Sequence, residues 1–210
     1  MNPRYPVYLF DVDGTLVDSA EDICGAILEA LKPTRVNGLG QADLLSFVGV
    51  HLLKMFQELL PEYTPEQHEE LIRNYRTIYF ARGHRSTRVF PGVIEALRGL
   101  GGRKSTATTK GTSTTRAVLE QFGLAPYFDH VQGTDGFAYK PAPDVILASL
   151  AALDARPEEC LLVGDSPADM EAGRRAGVSI CAVRYGYGDP ARIARFEPDL
   201  WISDLRELLA

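Results

Sequence analysis

The run Tyr5 to Phe10 is apolar and stops abruptly at Asp11-Val12-Asp13-Gly14-Thr15. Such a run reads as a buried strand entering a glycine-containing turn, with two carboxylates left at the strand's carboxyl end. The pattern returns in Leu161-Leu162-Val163-Gly164-Asp165-Ser166-Pro167-Ala168-Asp169-Met170, where Pro167 suits the first turn of a helix. Cys160 to Val163 and Ser179 to Val183 are further short apolar runs beside segments of helical period. Two crossover helices are expected. One covers Ala142 to Leu153, with an apolar stripe of Val145, Leu147, Ala148, Ala151 and Ala152; the other covers Thr112 to Phe122, with hydroxyl caps before Val118, Leu119 and Phe122. This alternation predicts parallel βαβ units. In such a sheet the carboxyl ends of neighbouring strands meet at one edge, where ligands bind, so both acidic pairs are expected in one crevice.

Between about Val17 and Val89 three helix-like segments follow one another with no strand between them. Their apolar faces are Ile23, Ile27, Ala30 and Leu31; Leu52, Leu53, Phe56, Leu59 and Leu60; and Leu71, Ile72, Tyr75, Ile78 and Tyr79. Tyr75, Tyr79 and Phe80 are expected to pack these helices together. Phe90-Pro91-Gly92 closes the stretch, with Pro91 expected to open a helix that carries Val93, Leu97 and Leu100. The division is therefore an α/β core from residues 1–16 and 90–210, with a helical insertion at 17–89. At roughly 150 residues per domain, 210 residues fit one compact domain carrying an insertion.

A composition of 45% hydrophobic and 24% charged residues argues against disorder and fibrous classes. With 22 Lys and Arg against 28 Asp and Glu, the net charge of -6 leaves little from which to build a basic stripe for nucleic acid. Cys24, Cys160 and Cys181 are too few and too scattered for a disulfide framework or a zinc cluster, and Cys160 and Cys181 read as core fillers. Trp201 is expected to pack a final strand-like segment. The opening Met-Asn-Pro-Arg-Tyr-Pro has no apolar signal stretch and no later run is long enough to span a membrane, so a cytoplasmic chain is expected.

At a turn, Asp11 and Asp13 can approach one point. Together they suit a hard cation, or one can attack an electrophile while the other carries a proton; a solvated turn would use the same residues. Four carboxylates in one crevice repel, and a divalent cation is the simplest neutraliser. Oxygen ligands without a His or Cys cluster favour Mg2+. Helix capping by Asp165 or Asp169 explains one aspartate and not the set. Phosphoryl transfer also needs charge stabilisation over three equatorial oxygens. Lys140, before Pro141 and after a loop containing Gly133 and Gly136, can supply it, and Thr108 ends the strand-like run from Arg103. Each is by itself common as a surface lysine or a strand-end threonine.

Taken in order, these segments resemble the haloacid dehalogenase superfamily, specifically its phosphatases with a helical cap inserted after the first strand. Asp11-Val12-Asp13-Gly14-Thr15-Leu16-Val17-Asp18-Ser19 corresponds to the first motif of that family, Thr108 to the second, Lys140-Pro141 to the third and Gly164-Asp165-Ser166-Pro167-Ala168-Asp169 to the fourth. Phe128-Asp129, Ala172-Gly173, Ala176-Gly177 and Gly186-Tyr187-Gly188 extend the likeness along nearly the whole chain. The resemblance implies a Rossmann-like, doubly wound parallel sheet with residues 17–89 as the cap. It implies Asp11 as nucleophile, Asp13 as acid and then base, Thr108 as a phosphoryl hydrogen-bond donor and Lys140 as the neutralising cation. Magnesium would be held by Asp11 and Asp165 and by the backbone carbonyl of Asp13, with Asp169 in contact directly, through water or at one remove. The second aspartate, Asp13, favours phosphate esters over dehalogenation. Thr109 stands where many relatives carry Asn, and it rivals Thr108 for the same role.

Asp18-Ser19, Phe47-Val48-Gly49 and Tyr185-Gly186-Tyr187-Gly188 resemble phosphoglycolate phosphatases most. Gly49 is then expected in the loop that meets substrate. A substrate carboxylate would need a cation, for which Lys54, Arg73, Arg76, Arg82, Arg85 and Arg88 are candidates; His51 lies near the same loop. The expected activity is Mg2+-dependent hydrolysis of a small phosphorylated metabolite, 2-phosphoglycolate favoured, through an aspartyl-phosphate, by a monomer or homodimer. A phosphosugar mutase of the β-phosphoglucomutase type and a non-catalytic phosphoryl-binding regulator are the alternatives.

Overall fold

The computed structural model describes residues 5–210. In chain order the elements begin with strand β1 (Val7–Phe10) and strand β2 (Val17–Asp18). Helices α1 (Ala20–Leu31), α2 (Gln41–Leu44), α3 (Leu52–Leu59) and α4 (Pro65–Arg82) follow. Next come β3 (Arg88–Val89), α5 (Val93–Gly99), β4 (Arg103–Thr106) and α6 (Thr112–Gln121). The chain continues through α7 (Asp144–Ala152), β5 (Cys160–Gly164), α8 (Pro167–Ala176) and β6 (Ser179–Val183). It ends with α9 (Pro190–Ile193) and β7 (Leu200–Ile202).

Two compact units share the chain: one comprises the segment up to Asp18 together with Arg88–Ala210, the other Ser19–Thr87. In the first, five parallel strands stand in the order β4-β1-β5-β6-β7. The period of two along each strand divides its side chains between two cores. Tyr8, Phe10, Leu161, Val163, Cys181 and Val183 join α5 and α6 residues such as Leu97 and Leu119 in one. Val7, Leu9, Cys160, Leu162, Ile180 and Ala182 join Ile146, Leu150, Met170 and Ile193 in the other. Burial on both faces is why β1, β5 and β6 read as nearly continuous apolar runs, whereas the edge strand β4 is Arg-Lys-Ser-Thr. Trp201 lies on β7 against the second core, with the Arg184 guanidinium 4.4 Å from its ring centroid.

The structure departs from the sequence expectations at short and polar elements. The two-residue strands β2 and β3 pair antiparallel, Val17 with Val89 and Asp18 with Arg88, where no strand was expected. Two residues carry too little pattern to be read. Pro91 lies outside α5, which is capped by Gly92 at φ 80°, a left-handed conformation that ends the proline's run before the helix begins. Strand β4 stops at Thr106, so Thr108 sits two residues beyond it.

In the second unit α1 and α3 pack on α4. Ile23, Ile27, Ala30, Leu31, Phe56, Leu60, Leu71, Tyr75 and Tyr79 are buried, and the Tyr75 and Tyr79 rings stack with centroids 5.7 Å apart. Phe80 is instead 50% exposed: it falls one residue past the buried Tyr79 and so leaves the apolar stripe. Asp22, 1% exposed, is the polar anchor of this unit. Its Oδ2 accepts from the Ser86 N–H at 3.0 Å and from the Thr87 N–H and hydroxyl, each at 2.8 Å, while the Arg82 guanidinium lies 3.5 Å from Oδ1.

Candidate active site

Strand register assembles the site. Phe10 is level with Thr106 on β4 and with Val163 on β5. The pairing runs one residue further, with the Ala107 N–H donating to the Phe10 carbonyl at 2.8 Å and the Asp11 N–H to the Val163 carbonyl at 2.9 Å. Asp11, Ala107 and Gly164-Asp165 therefore leave the sheet together at its carboxyl edge. Beyond Asp11 the chain turns tightly, with the Leu16 and Val17 N–H groups both donating to the Val12 carbonyl, at 2.9 and 3.0 Å. Gly14, at φ 87°, makes this turn possible, and a Cβ there would lie 2.3 Å from an Asp165 oxygen.

Helix α8 supplies the third carboxylate. Ser166 caps it, accepting from the Asp169 N–H at 3.2 Å, and Asp169 Oδ2 accepts in return from the Ser166 N–H at 3.0 Å and hydroxyl at 2.6 Å. The other Asp169 oxygen accepts from Lys140. Capping and site chemistry are thus divided between the two oxygens of one carboxylate. Lys140, preceding a cis peptide bond to Pro141, brings its Nζ to Asp11 Oδ1 at 2.9 Å and to the Ala107 carbonyl at 2.8 Å as well.

Asp11, Asp165 and Asp169 each offer an oxygen within 4.8 Å of the others, and all are buried. Two oxygens bound to one divalent cation at roughly 2.0–2.6 Å fall within such a separation, and an all-carboxylate donor set suits a hard ion. The Asp13 carboxylate stands beside this trio, close enough to act on the Asp11 charge, and pairs with Lys110, 3.2 Å away. The turn that follows Asp11 carries Asp13 off the strand and toward Lys110.

Electrostatics follow from burial and charge excess. Burial pushes the Asp11 carboxyl up to about 6, against the opposing pull of Lys140. Burial first, then the neighbouring Asp169 and Asp11, pushes Asp165 well above the usual carboxylate range, while the Tyr187 N–H and Lys140 act in the other direction. Burial alone would discharge Lys140, but Asp11 and Asp169 outweigh it and hold the ammonium above its ordinary value. Three buried carboxylates facing one ammonium leave an excess of negative charge that a cation relieves.

Thr108 is buried, its hydroxyl accepting from the Lys110 N–H at 3.3 Å, whereas Thr109 is half-buried. Gly49 and Lys54 belong to the other unit: Gly49 at φ 85° in the loop before α3, and Lys54 exposed on α3. The sequence reading gave no role to Lys110 or to Tyr187, whose N–H donates to Asp165 Oδ2 at 2.8 Å and whose phenol donates to Asp18 Oδ1 at 2.6 Å. Their only sequence signal is position: Tyr187 lies within Gly186-Tyr187-Gly188, and Lys110 lies two residues after Thr108.

Residues 8–183 match the family described as haloacid dehalogenase-like hydrolase. A phosphoglycolate phosphatase from Aquifex aeolicus is 32% identical over 185 residues, covering 86% of this chain and 85% of its own. Pyrophosphatase PpaX from Bacillus cereus is 29% identical over 218 residues, covering 98% and 95%. Among solved structures, a predicted phosphatase from Clostridium acetobutylicum superposes with a TM-score of 0.90 at 28% identity, over 99% of this chain and 97% of its own. With an acidic trio and its lysine at the carboxyl edge of a parallel sheet and matches along nearly its full length, the chain belongs to the haloacid dehalogenase-like hydrolases and is a phosphatase.

Proposed function

We propose that this phosphatase hydrolyses a small phosphorylated metabolite in the cytoplasm, with 2-phosphoglycolate as the favoured substrate, by way of an aspartyl-phosphate on Asp11. The observation that carries the reading is Lys140 bridging Asp11 and Asp169 beside Asp165 at one strand edge. An Asp11 carboxylate oxygen attacks phosphorus, the bond from phosphorus to the ester oxygen breaks, and Asp13 gives that oxygen its proton. Water then attacks the acyl phosphate, Asp13 takes up a proton from it, and inorganic phosphate leaves with the Asp11 carboxylate restored. Lys140 offsets charge on Asp11 and the transferring oxygens, Thr108 donates a hydrogen bond to them, and Lys110 holds the Asp13 carboxylate in place.

Magnesium fits the hard oxygen set and would be held by Asp11, Asp165 and the Asp13 carbonyl, with Asp169 ligating or orienting. When bound it supplies positive charge that stabilises the ionised carboxylates and the phosphoryl oxygens. The Ser19–Thr87 unit is read as the cap, with Gly49, Lys54 and Thr109 as substrate-contact candidates. The similarity to phosphoglycolate phosphatase supports the favoured substrate, while the longer match to pyrophosphatase PpaX supports inorganic pyrophosphate as a second reading.

The test is phosphate release from 2-phosphoglycolate, pyrophosphate, sugar phosphates and nucleotides, with magnesium and with chelator. Magnesium-dependent release with the highest kcat/KM on 2-phosphoglycolate is expected. A higher value on pyrophosphate selects the second reading, and release undiminished by chelator overturns the metal assignment.

A further inference from the structure

The loop Tyr185-Gly186-Tyr187-Gly188 is wrapped so tightly on Asp165 that a Cβ on Gly186 would lie 2.2 Å from the Asp165 Cβ, and one on Gly188 would lie 2.0 Å from the Asp165 carbonyl oxygen. Glycine at both positions lets the backbone close on the carboxylate. Both oxygens of Asp165 are then engaged. Oδ2 accepts from the Tyr187 N–H at 2.8 Å, and Oδ1 accepts from the Thr15 hydroxyl at 3.4 Å. A carboxylate with one donor on each oxygen is fixed in rotation and still has lone pairs for a cation.

The loop is itself held at two further points. The Tyr187 phenol donates to Asp18 Oδ1 at 2.6 Å, a charge-assisted bond, and the Tyr185 phenol donates to the Thr15 carbonyl at 2.8 Å. Asp18 lies on β2, whose partner strand β3 fixes it through the Val17–Val89 and Asp18–Arg88 pairs. The Val17 carbonyl in turn accepts from the Gly14 N–H at 2.9 Å, next to Thr15. The contacts therefore close a circuit from Asp165 through Tyr187, Asp18, β2 and the Gly14-Thr15 turn back to Asp165.

We propose that Tyr187 is a positioning residue for the cation site: braced on Asp18 through its phenol, it aims its backbone N–H at Asp165 and so sets that carboxylate for magnesium. This rests on the reading of Asp165 as a magnesium ligand. Because the phenol bonds Asp18 while the N–H meets Asp165, the effect of the side chain on the site runs through Asp165 and belongs to cation affinity.

Magnesium binding to the full chain without substrate, measured by titration calorimetry, tests it. Tyr187→Phe removes only the hydroxyl, and Asp18→Ala removes its acceptor. Each is expected to weaken magnesium binding about tenfold, the low end of what loss of a group orienting a metal ligand causes. Asp18→Asn keeps an acceptor oxygen and is expected to fall within about threefold of wild type. In turnover the loss should appear in the magnesium activation constant more than in kcat at saturating magnesium. Wild-type binding with Tyr187→Phe and Asp18→Ala both within twofold of it overturns this proposal alone. No magnesium binding by wild type overturns the metal reading, and this proposal with it.

Discussion

Asp11 combines a short bond to Lys140 with near-complete burial, and these two facts set what its replacement should do. Asp11→Asn keeps the shape and leaves Lys140 paired with Asp169, but the amide is no nucleophile. Turnover should fall at least ~10³-fold while the thermal melt stays close to wild type; retained activity would refute the nucleophile assignment. The cysteines behave oppositely, as inert packing. Burial pushes the Cys24 thiol up to about 11 and those of Cys160 and Cys181 to about 12. A raised thiol pKa means less thiolate at any given pH, so at pH 8 iodoacetamide should leave all three unmodified over a period in which the denatured chain labels fully. Rapid labelling of the folded chain would contradict this packing. At this scale the sequence was legible where a residue's neighbours in the chain define its role, as with Asp11. It was not legible for Lys110, whose partner Asp13 lies far away in sequence and close in space.

Helix α8 and the Asp22 anchor show how elements gain stability from polar groups. Ser166, Pro167 and Asp169 are an N-terminal helix signal, and α8 begins where that signal says. Asp22 gave no such signal: it resembles any acidic residue in a helix's first turn, where it would favour the dipole. Folding buries it and directs Ser86, Thr87 and Arg82 onto it, tying the start of α1 to the end of the Ser19–Thr87 unit. Asp22→Ala should therefore cost about 3 kcal/mol, because it strands several donors and a guanidinium. Urea denaturation checks this, and a loss below about 1 kcal/mol would show that the anchor contributes little. Strands β2 and β3 escaped the sequence reading for a related reason. Two residues cannot show a period, and their pairing is decided by a partner some 70 residues away.

For the whole molecule, the proposed cation site at the acidic trio predicts a stability that depends on magnesium. A cation that binds only the folded chain stabilises it by mass action, by about 2.7 kcal/mol at a hundred times its Kd, and for a chain of this size that raises Tm by roughly 5–10 °C. Millimolar magnesium should therefore raise the melting temperature, chelator should reverse the rise, and Asp165→Asn should abolish it. No shift with the wild-type chain would count against the cation site. The α/β class, the strands β1, β5 and β6, the succession of helices between β2 and β3, and the meeting of the acidic pairs Asp11/Asp13 and Asp165/Asp169 at one sheet edge were legible in the order of residues. Apolar period and motif spacing are local properties that survive in one dimension. Packing in three dimensions is what pairs Asp13 with Lys110, gives the two oxygens of Asp169 to helix cap and site, and lets Tyr187 span Asp165 and Asp18. Those contacts depend on the direction of individual side chains across parallel strand ends, which register and packing set and the order of residues does not show.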